Sequence, residues 1–333
     1  MTHVPGEPRP YAAPYAATAQ RPSWPSLPAR LRAFVQERLG QRVDQALSQG
    51  GGFTDGFARA LLLADGSRVF VKAASRLRSP EVFSSYQQEI RVARGLPQDV
   101  PAPRLRWAVE QEEWLVLAFD DVAGRTPQRP WRPEELCAVL DMLTRLATTM
   151  TPAPVGLPEL DTTAGLEGGF SFWRRLVAGD VSADPQLVGA RWLPRLEDLA
   201  ALESDWAELA AGHSAVHFDM RADNLLITDD GQVLVCDWSW LALAAPWVDL
   251  VGLLVSVHGD GLDARPFWPI TGWARVSSPE PSAVCSVPWP GTSRRWRPGR
   301  PFRARRGCAL ISPGGVTRHC PGSRCGCSCD HAQ

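Results

Sequence analysis

Apolar and polar positions alternate with a period of two over Phe57–Leu63 and again over residues 67–72, with Asp65-Gly66 between the two runs. Side chains along a strand point to opposite faces in turn, and Asp-Gly readily takes a tight hairpin backbone, so the pattern predicts two strands joined by a turn. Over residues 79–95 the period lengthens, with Val82, Phe83, Tyr86, Ile90 and Ala93 on one side, Pro80 in the first turn and a closing glycine. This spacing predicts a helix. A stronger helical stripe runs over 133–150 through Leu136, Val139, Leu140, Leu143, Leu146 and Ala147, and its apolar face reads as core. A short helix is expected over 28–40, and further helices over 168–212, one of them across 193–209. Leu225–Thr228 and residues 232–236 are apolar runs split by Asp229-Asp230-Gly231, which predicts a second hairpin.

The ends of that second hairpin carry the most informative chemistry. His217-Phe218-Asp219 is followed by Asn224 five positions after the aspartate and by Asp237 thirteen further on, so the turn brings Asn224 and Asp237 together. A transferring phosphoryl group carries spread negative charge, and a protein assists it mainly by positioning and by neutralisation through Mg²⁺. Asp219 is placed to orient an acceptor hydroxyl and take its proton, with Asn224 and Asp237 as hard oxygen ligands for the metal. The plainer alternative is an ordinary hairpin with polar ends.

Composition adds an independent pointer, because Lys72 is the only lysine among 333 residues and every other strongly basic side chain is an arginine. A compact ammonium on a long stem reaches phosphate oxygens as a point charge, a task for which the planar guanidinium is no equivalent. One hairpin upstream lies the run Gly50-Gly51-Gly52, where the missing Cβ lets backbone N–H groups approach phosphates. Glu89 sits beside the Tyr86/Ile90/Ala93 stripe, in place to face Lys72; the alternative is a solvated glutamate among Gln87, Gln88 and Arg91.

These residues resemble the aminoglycoside phosphotransferase and choline kinase-like family, small-molecule kinases related in fold to protein kinases, over about residues 42–263. The resemblance implies an α+β, two-lobed protein-kinase-like fold with a small antiparallel sheet lobe and a larger, mainly helical lobe. By the same resemblance Asp219 is the catalytic base, Asn224 and Asp237 are metal ligands, and Lys72 and Glu89 position the nucleotide beside Gly51 and Gly52. Residues 113–124 resemble the strand and hinge between lobes, where backbone groups from Asp120 to Val122 meet the adenine. Asp249 braces the catalytic loop, with His217 as a second structural support; a first-turn carboxylate also interacts favourably with its own helix dipole. The cofactors implied are ATP or GTP and Mg²⁺, and the partner is a small-molecule hydroxyl acceptor, aminoglycoside-like or amino-alcohol-like. Trp238-Ser239 stands where protein kinases have Phe-Gly, and no segment for a switchable activation loop separates Asp237 from Asp249. Trp173, Arg174 and Arg175 are candidate acceptor contacts, although aromatics at helical spacing more often belong to a core.

The expected organisation is a disordered proline-rich lead-in over 1–27, a sheet lobe over 28–121, a helical lobe over 122–264 and an atypical tail over 265–333. The length and the 44% hydrophobic content suit a two-lobed globular enzyme. Neither a secretory signal nor an apolar stretch of spanning length is visible, so a soluble cytoplasmic protein without a membrane partner is expected. The tail holds eleven arginines against two acids, leaving 24 bases against 34 acids ahead of it, and six of the eight cysteines. The acidic body suits a cationic acceptor. Zinc binding by the tail is disfavoured because its cysteines lack paired C-x-x-C spacing, and nucleic-acid binding because aromatics do not alternate with the arginines. The abrupt change to Arg, Pro, Gly, Ser and Cys is what a GC-rich gene yields out of frame. That origin would make the chain an impaired, kinase-like nucleotide-binding protein, the alternative to an active enzyme.

Overall fold

Two hairpin turns and two amphipathic helices organise the part of the chain that builds the site. The computed structural model describes residues 21–48, 56–181, 188, 192–264 and 267. Gly51, Gly52 and the tail expected over 265–333, apart from Phe267, lie outside the described residues. Among the described residues the chain divides into two compact units, one formed by residues 21–164 together with 210–267, the other by residues 165–209.

In the first unit β1 (Val43–Ser48), β2 (Phe57–Leu63), β3 (Arg68–Ser75), β4 (Leu105–Gln111) and β5 (Trp114–Asp120) form an antiparallel sheet in the order β1-β2-β3-β5-β4. The β2–β3 turn closes on Gly66 at φ 82°, a left-handed conformation that suits glycine, while the Asp65 carboxylate accepts the N–H of Ser67 at 2.9 Å. Period-two alternation then sorts the strands into two buried faces. Val69, Val71 and Ala73 pack with Trp24, Leu27, Leu31 and Val35, the last two on helix α1 (Ala29–Leu39). Ala74, Leu115, Leu117 and Phe119 pack with Phe83, Tyr86 and Ile90 of helix α2 (Pro80–Gly95). Strand β3 runs three residues beyond the expected end at Lys72 because Ala73 and Ala74 continue the two buried faces.

The lead-in expected to be disordered over 1–27 is folded from residue 24 onward. Trp24–Ser26 forms a 3-10 turn with Trp24 and Leu27 buried against the sheet, so aromatic burial overrides the proline content there.

The larger core of this unit lies between helix α3 (Pro133–Thr149) and the helix Val248–Gly259. Leu136, Val139, Leu140, Leu143 and Leu146 meet Leu250, Leu253, Leu254 and Val257 there. Short strands complete the unit: β6 (Gly124–Arg125), β7 (Asp161–Thr162), β8 (Ser214–Val216), β9 (Leu225–Thr228), β10 (Val233–Val235) and β11 (Ala242–Ala244), in sheets ordered β10-β9-β6 and β7-β11-β8. The second expected hairpin is β9–β10, closed at Gly231 with φ 83°.

In the second unit α4 (Phe172–Ala178) is capped by Glu203 of α5 (Leu196–Ser204), whose carboxylate accepts the N–H groups of Trp173 and Arg174 at 3.1 and 2.8 Å. The single helix expected over 193–209 is divided into a 3-10 turn, Leu193–Arg195, then α5 and the short Trp206–Leu209 helix, with Asp205 between. Arg174, a candidate acceptor contact, spends its guanidinium on Glu167 at 2.7 Å and Glu203 at 3.5 Å. Arg175 is exposed.

Candidate active site

Lys72 lies on the α2 face of the sheet, opposite Ala58 on β2 and Leu117 on β5. Its ammonium donates to both carboxylate oxygens of Glu89 at 2.7 and 2.8 Å, and lies 3.3 Å from Oδ1 of Asp237. Glu89 is therefore not a solvated glutamate; it is buried on the inward face of α2. Burial alone would lower Lys72, but the charges of Asp237 and Glu89 outweigh it and hold the ammonium protonated far above neutrality. Burial raises Glu89, to about 7, against the pull of Lys72. The two shifts pull in opposite senses, and the bidentate contact argues for an ionised pair near neutrality.

The carboxylates arrive from the other side of the same site. After β8 the backbone turns at Phe218, whose φ of 65° is unusual for a bulky side chain. Asp249, in the first turn of the Val248–Gly259 helix, holds this turn by accepting the N–H groups of His217 at 2.9 Å and Phe218 at 2.8 Å. His217 is fully buried, its Nε2 lies 2.9 Å from the Cys236 carbonyl, and its ring stands edge-on to Trp238. These bonds tie the loop carrying Asp219 to the strand end carrying Asp237.

The Asn224 amide donates to the Asp219 backbone carbonyl at 2.8 Å and to Oδ2 at 3.1 Å, and Arg221 meets Oδ1 at 2.9 Å. Burial lifts Asp219 to about 6, with the Arg221 charge opposing. Arg221 also grips Asp223, through Nε at 3.0 Å and Nη2 at 3.2 Å. Sequence reasoning missed Arg221; the signal was the alternation Asp219, Arg221, Asp223 within one loop. Asp237 has φ 64°, a conformation aspartate tolerates better than most residues. Burial would raise its pKa, but Lys72 and the Ser239 hydroxyl at 3.0 Å bring it down to about 2. The Cys236 N–H donates to the Asn224 carbonyl at 2.8 Å, so the β9–β10 hairpin places Asn224 beside Asp237 as its turn implied.

This donor set fits a hard divalent cation. Asn224 uses its Nδ2 on Asp219, which leaves its side-chain Oδ1 available, and Asp237 is ionised with Oδ2 outside the Lys72 contact. Two protein oxygens suit Mg²⁺, which keeps waters and takes further oxygens from phosphates. Among the described residues no group of three or more His, Cys, Asp or Glu side chains is arranged to hold a metal by itself.

At the expected hinge, the Asp120 carboxylate pairs with Arg106 at 2.7 Å and its N–H donates to the Arg104 carbonyl at 2.9 Å. Asp121 pairs with Arg68 at 2.6 Å. Val122 follows just beyond β5, half-buried, and among the described residues its N–H has no protein acceptor. Among the described residues no helix is long and apolar enough to cross a membrane.

The model of the phosphotransferase enzyme family matches residues 52–267, which span strands β2 to β5, the Lys72–Glu89 pair and both carboxylate-bearing loops. The chain belongs to the phosphotransferase enzyme family. The solved structure at a TM-score of 0.50 agrees with this membership at the level of fold, and two more are similar at lower scores. A thermostable mutant of the aminoglycoside phosphotransferase APH(4)-Ia, in ternary complex with AMP-PNP and hygromycin B, is 18% identical with a TM-score of 0.50, covering 77% of this chain and 87% of that one. The choline kinase LicA from Streptococcus pneumoniae is 13% identical with a TM-score of 0.49, covering 70% and 78%. The macrolide 2'-phosphotransferase MphH from Brachybacterium faecium is 18% identical with a TM-score of 0.48, covering 79% and 85%. No curated protein matches the chain. The fold of this phosphotransferase is the two-lobed, α+β protein-kinase-like one.

Proposed function

We propose that this phosphotransferase moves the γ-phosphoryl group of ATP or GTP to a hydroxyl of a small molecule, aminoglycoside-like or amino-alcohol-like. The observation that carries the reading is the convergence of Lys72, Glu89 and Asp237 at 2.7 to 3.3 Å, beside the Asp219–Asn224 pair. Lys72, held by Glu89, binds α- and β-phosphate oxygens, and the glycine run with Gly51 and Gly52 contributes backbone donors. The free N–H of Val122 and the backbone at Asp120 meet the base. Mg²⁺, held by Asn224 and Asp237, supplies neutralisation of the charge spread over the transferring group. Asp219 accepts the hydroxyl hydrogen bond of the acceptor, orients its oxygen and takes the proton as transfer proceeds. His217 and Asp249 act at one remove by fixing the loop that aims Asp219.

The 34 acids ahead of the arginine-rich tail favour a cationic acceptor such as an aminoglycoside or a choline-like amino alcohol. The test is transfer of label from γ-labelled ATP and GTP to a panel of aminoglycosides and amino alcohols, with Asp219→Asn in parallel. The reading expects a labelled acceptor in the wild type and its loss in the variant. Labelling that survives in Asp219→Asn removes Asp219 from the chemistry.

A further inference from the structure

Trp238 and Ser239 stand where protein kinases have Phe-Gly, and the transfer scheme gives neither a task. Each makes a hydrogen bond that a Phe-Gly pair cannot, since phenylalanine has no side-chain N–H and glycine no hydroxyl. The Trp238 indole N–H donates to the Val235 carbonyl at 2.9 Å, and its ring stands edge-on to His217 with centroids 4.9 Å apart. The Ser239 hydroxyl donates to Oδ1 of Asp237 at 3.0 Å.

Trp238 accounts for the placement of the serine. Its side chain is buried in the larger core with Val235, and it opens a 3-10 turn, Trp238–Trp240, that packs on α2, the helix carrying Glu89. Ser239 is therefore held between the β9–β10 hairpin and α2. Asp237 is half-buried, and among the described residues both polar contacts of its carboxylate fall on Oδ1, from the Lys72 ammonium at 3.3 Å and from Ser239. Two donors on one oxygen fix the plane of the carboxylate and leave Oδ2 without a protein donor.

That orientation matters because the terminal torsion of an aspartate is broad and turns readily, whereas Mg²⁺ demands near-ideal octahedral geometry. Lys72 has phosphate oxygens to serve. The Ser239 hydroxyl has Asp237 as its only partner among the described residues, so its hold on Oδ1 does not depend on the nucleotide.

We propose that Ser239 is a positioning residue for the metal, its hydroxyl keeping the Asp237 carboxylate turned so that Oδ2 meets the cation. This rests on the reading that Asp237 is a metal ligand. Trp238 supports the same arrangement by fixing the turn from which the hydroxyl reaches back.

Calorimetric titration of AMP-PNP with and without Mg²⁺ tests the assignment on the full chain, in the wild type, Ser239→Ala, Ser239→Thr and Asp237→Ala. The quantity read is the gain in AMP-PNP affinity that Mg²⁺ confers. Ser239→Ala is expected to cut this gain by roughly fivefold or more while leaving Mg²⁺-free binding unchanged, and Ser239→Thr, which keeps a hydroxyl, to retain it. A wild-type gain in Ser239→Ala, with the gain lost in Asp237→Ala, overturns this inference and leaves the metal reading standing. Equal weakening with and without Mg²⁺ makes the role of Ser239 structural and also overturns it, as does a Ser239→Thr variant that falls as far as Ser239→Ala. If Asp237→Ala keeps the wild-type gain, or the wild type shows none, the metal reading fails and takes this inference with it.

Discussion

Lys72 Nζ lies 3.3 Å from Asp237 Oδ1 although the two residues are 165 positions apart in the chain. The sheet lobe supplies one and the β9–β10 hairpin the other, so this contact closes the site across its two sides. Because Glu89 holds the same ammonium, substitution of Lys72 leaves a buried carboxylate without its partner. Lys72→Met is expected to lower stability by about 3 kcal/mol at pH 8. Without the ammonium, the folded-state pKa of Glu89 lies above its unfolded value, so protonation favours the native state. The loss therefore shrinks as the pH falls toward 5. Lys72→Met/Glu89→Leu is expected to be more stable than Lys72→Met alone. Urea unfolding of the three proteins at pH 8 and pH 5 measures this, and a loss that is the same at both pH values refutes it.

Asp219 is predicted to set the acidic limb of the activity profile. Its carboxylate titrates at about 6 because burial disfavours the charge, and it must be ionised to accept the acceptor hydroxyl proton. The limb in kcat/KM accordingly rises through about pH 6. The same shift means that ionised Asp219 disfavours the fold above pH 6, and that this effect fades as pH falls from 6 toward the ordinary carboxylate range. Arg221 is the charge that opposes burial, so Arg221→Gln should move the limb upward by roughly one unit or more. Transfer rates from pH 4.5 to 9 decide; a limb at the same position in Arg221→Gln would show that the guanidinium does not tune Asp219.

Asp249→Ala removes the acceptor of two N–H groups in a buried turn that already holds Phe218 at φ 65°. Each orphaned donor costs about 1–3 kcal/mol, so a total loss of roughly 2–6 kcal/mol is expected, with kcat falling more than nucleotide affinity. Thermal melts and steady-state kinetics provide the check. A variant that melts as the wild type does would show that the loop holds itself.

The features legible in the sequence were those written in local patterns. The Asp229-Asp230-Gly231 turn, the period-two strands and the solitary Lys72 needed no long-range contact to be read. Partner choice was harder. Asp219, Asp223 and Asp237 all lie within reach of basic side chains, and only the fold shows Arg221 gripping the first two while Lys72 takes the third. Trp24 was obscured by its proline-rich neighbours because its burial depends on Phe57, more than thirty residues away. Tyr86 reads as one more core aromatic until the position of Gly56 shows where its hydroxyl goes. The break between α5 and the Trp206–Leu209 helix was likewise hidden, because the apolar pattern runs on past Asp205.

The central claim is that Asp237 and Asn224 present oxygens to a metal that belongs with the nucleotide held by Lys72. Titration of AMP-PNP into wild type and Asp237→Ala, each with and without Mg²⁺, tests it most directly. The account predicts that Mg²⁺ tightens binding to the wild type by tenfold or more and that Asp237→Ala loses this gain. An equal Mg²⁺-dependent gain in both proteins would contradict it.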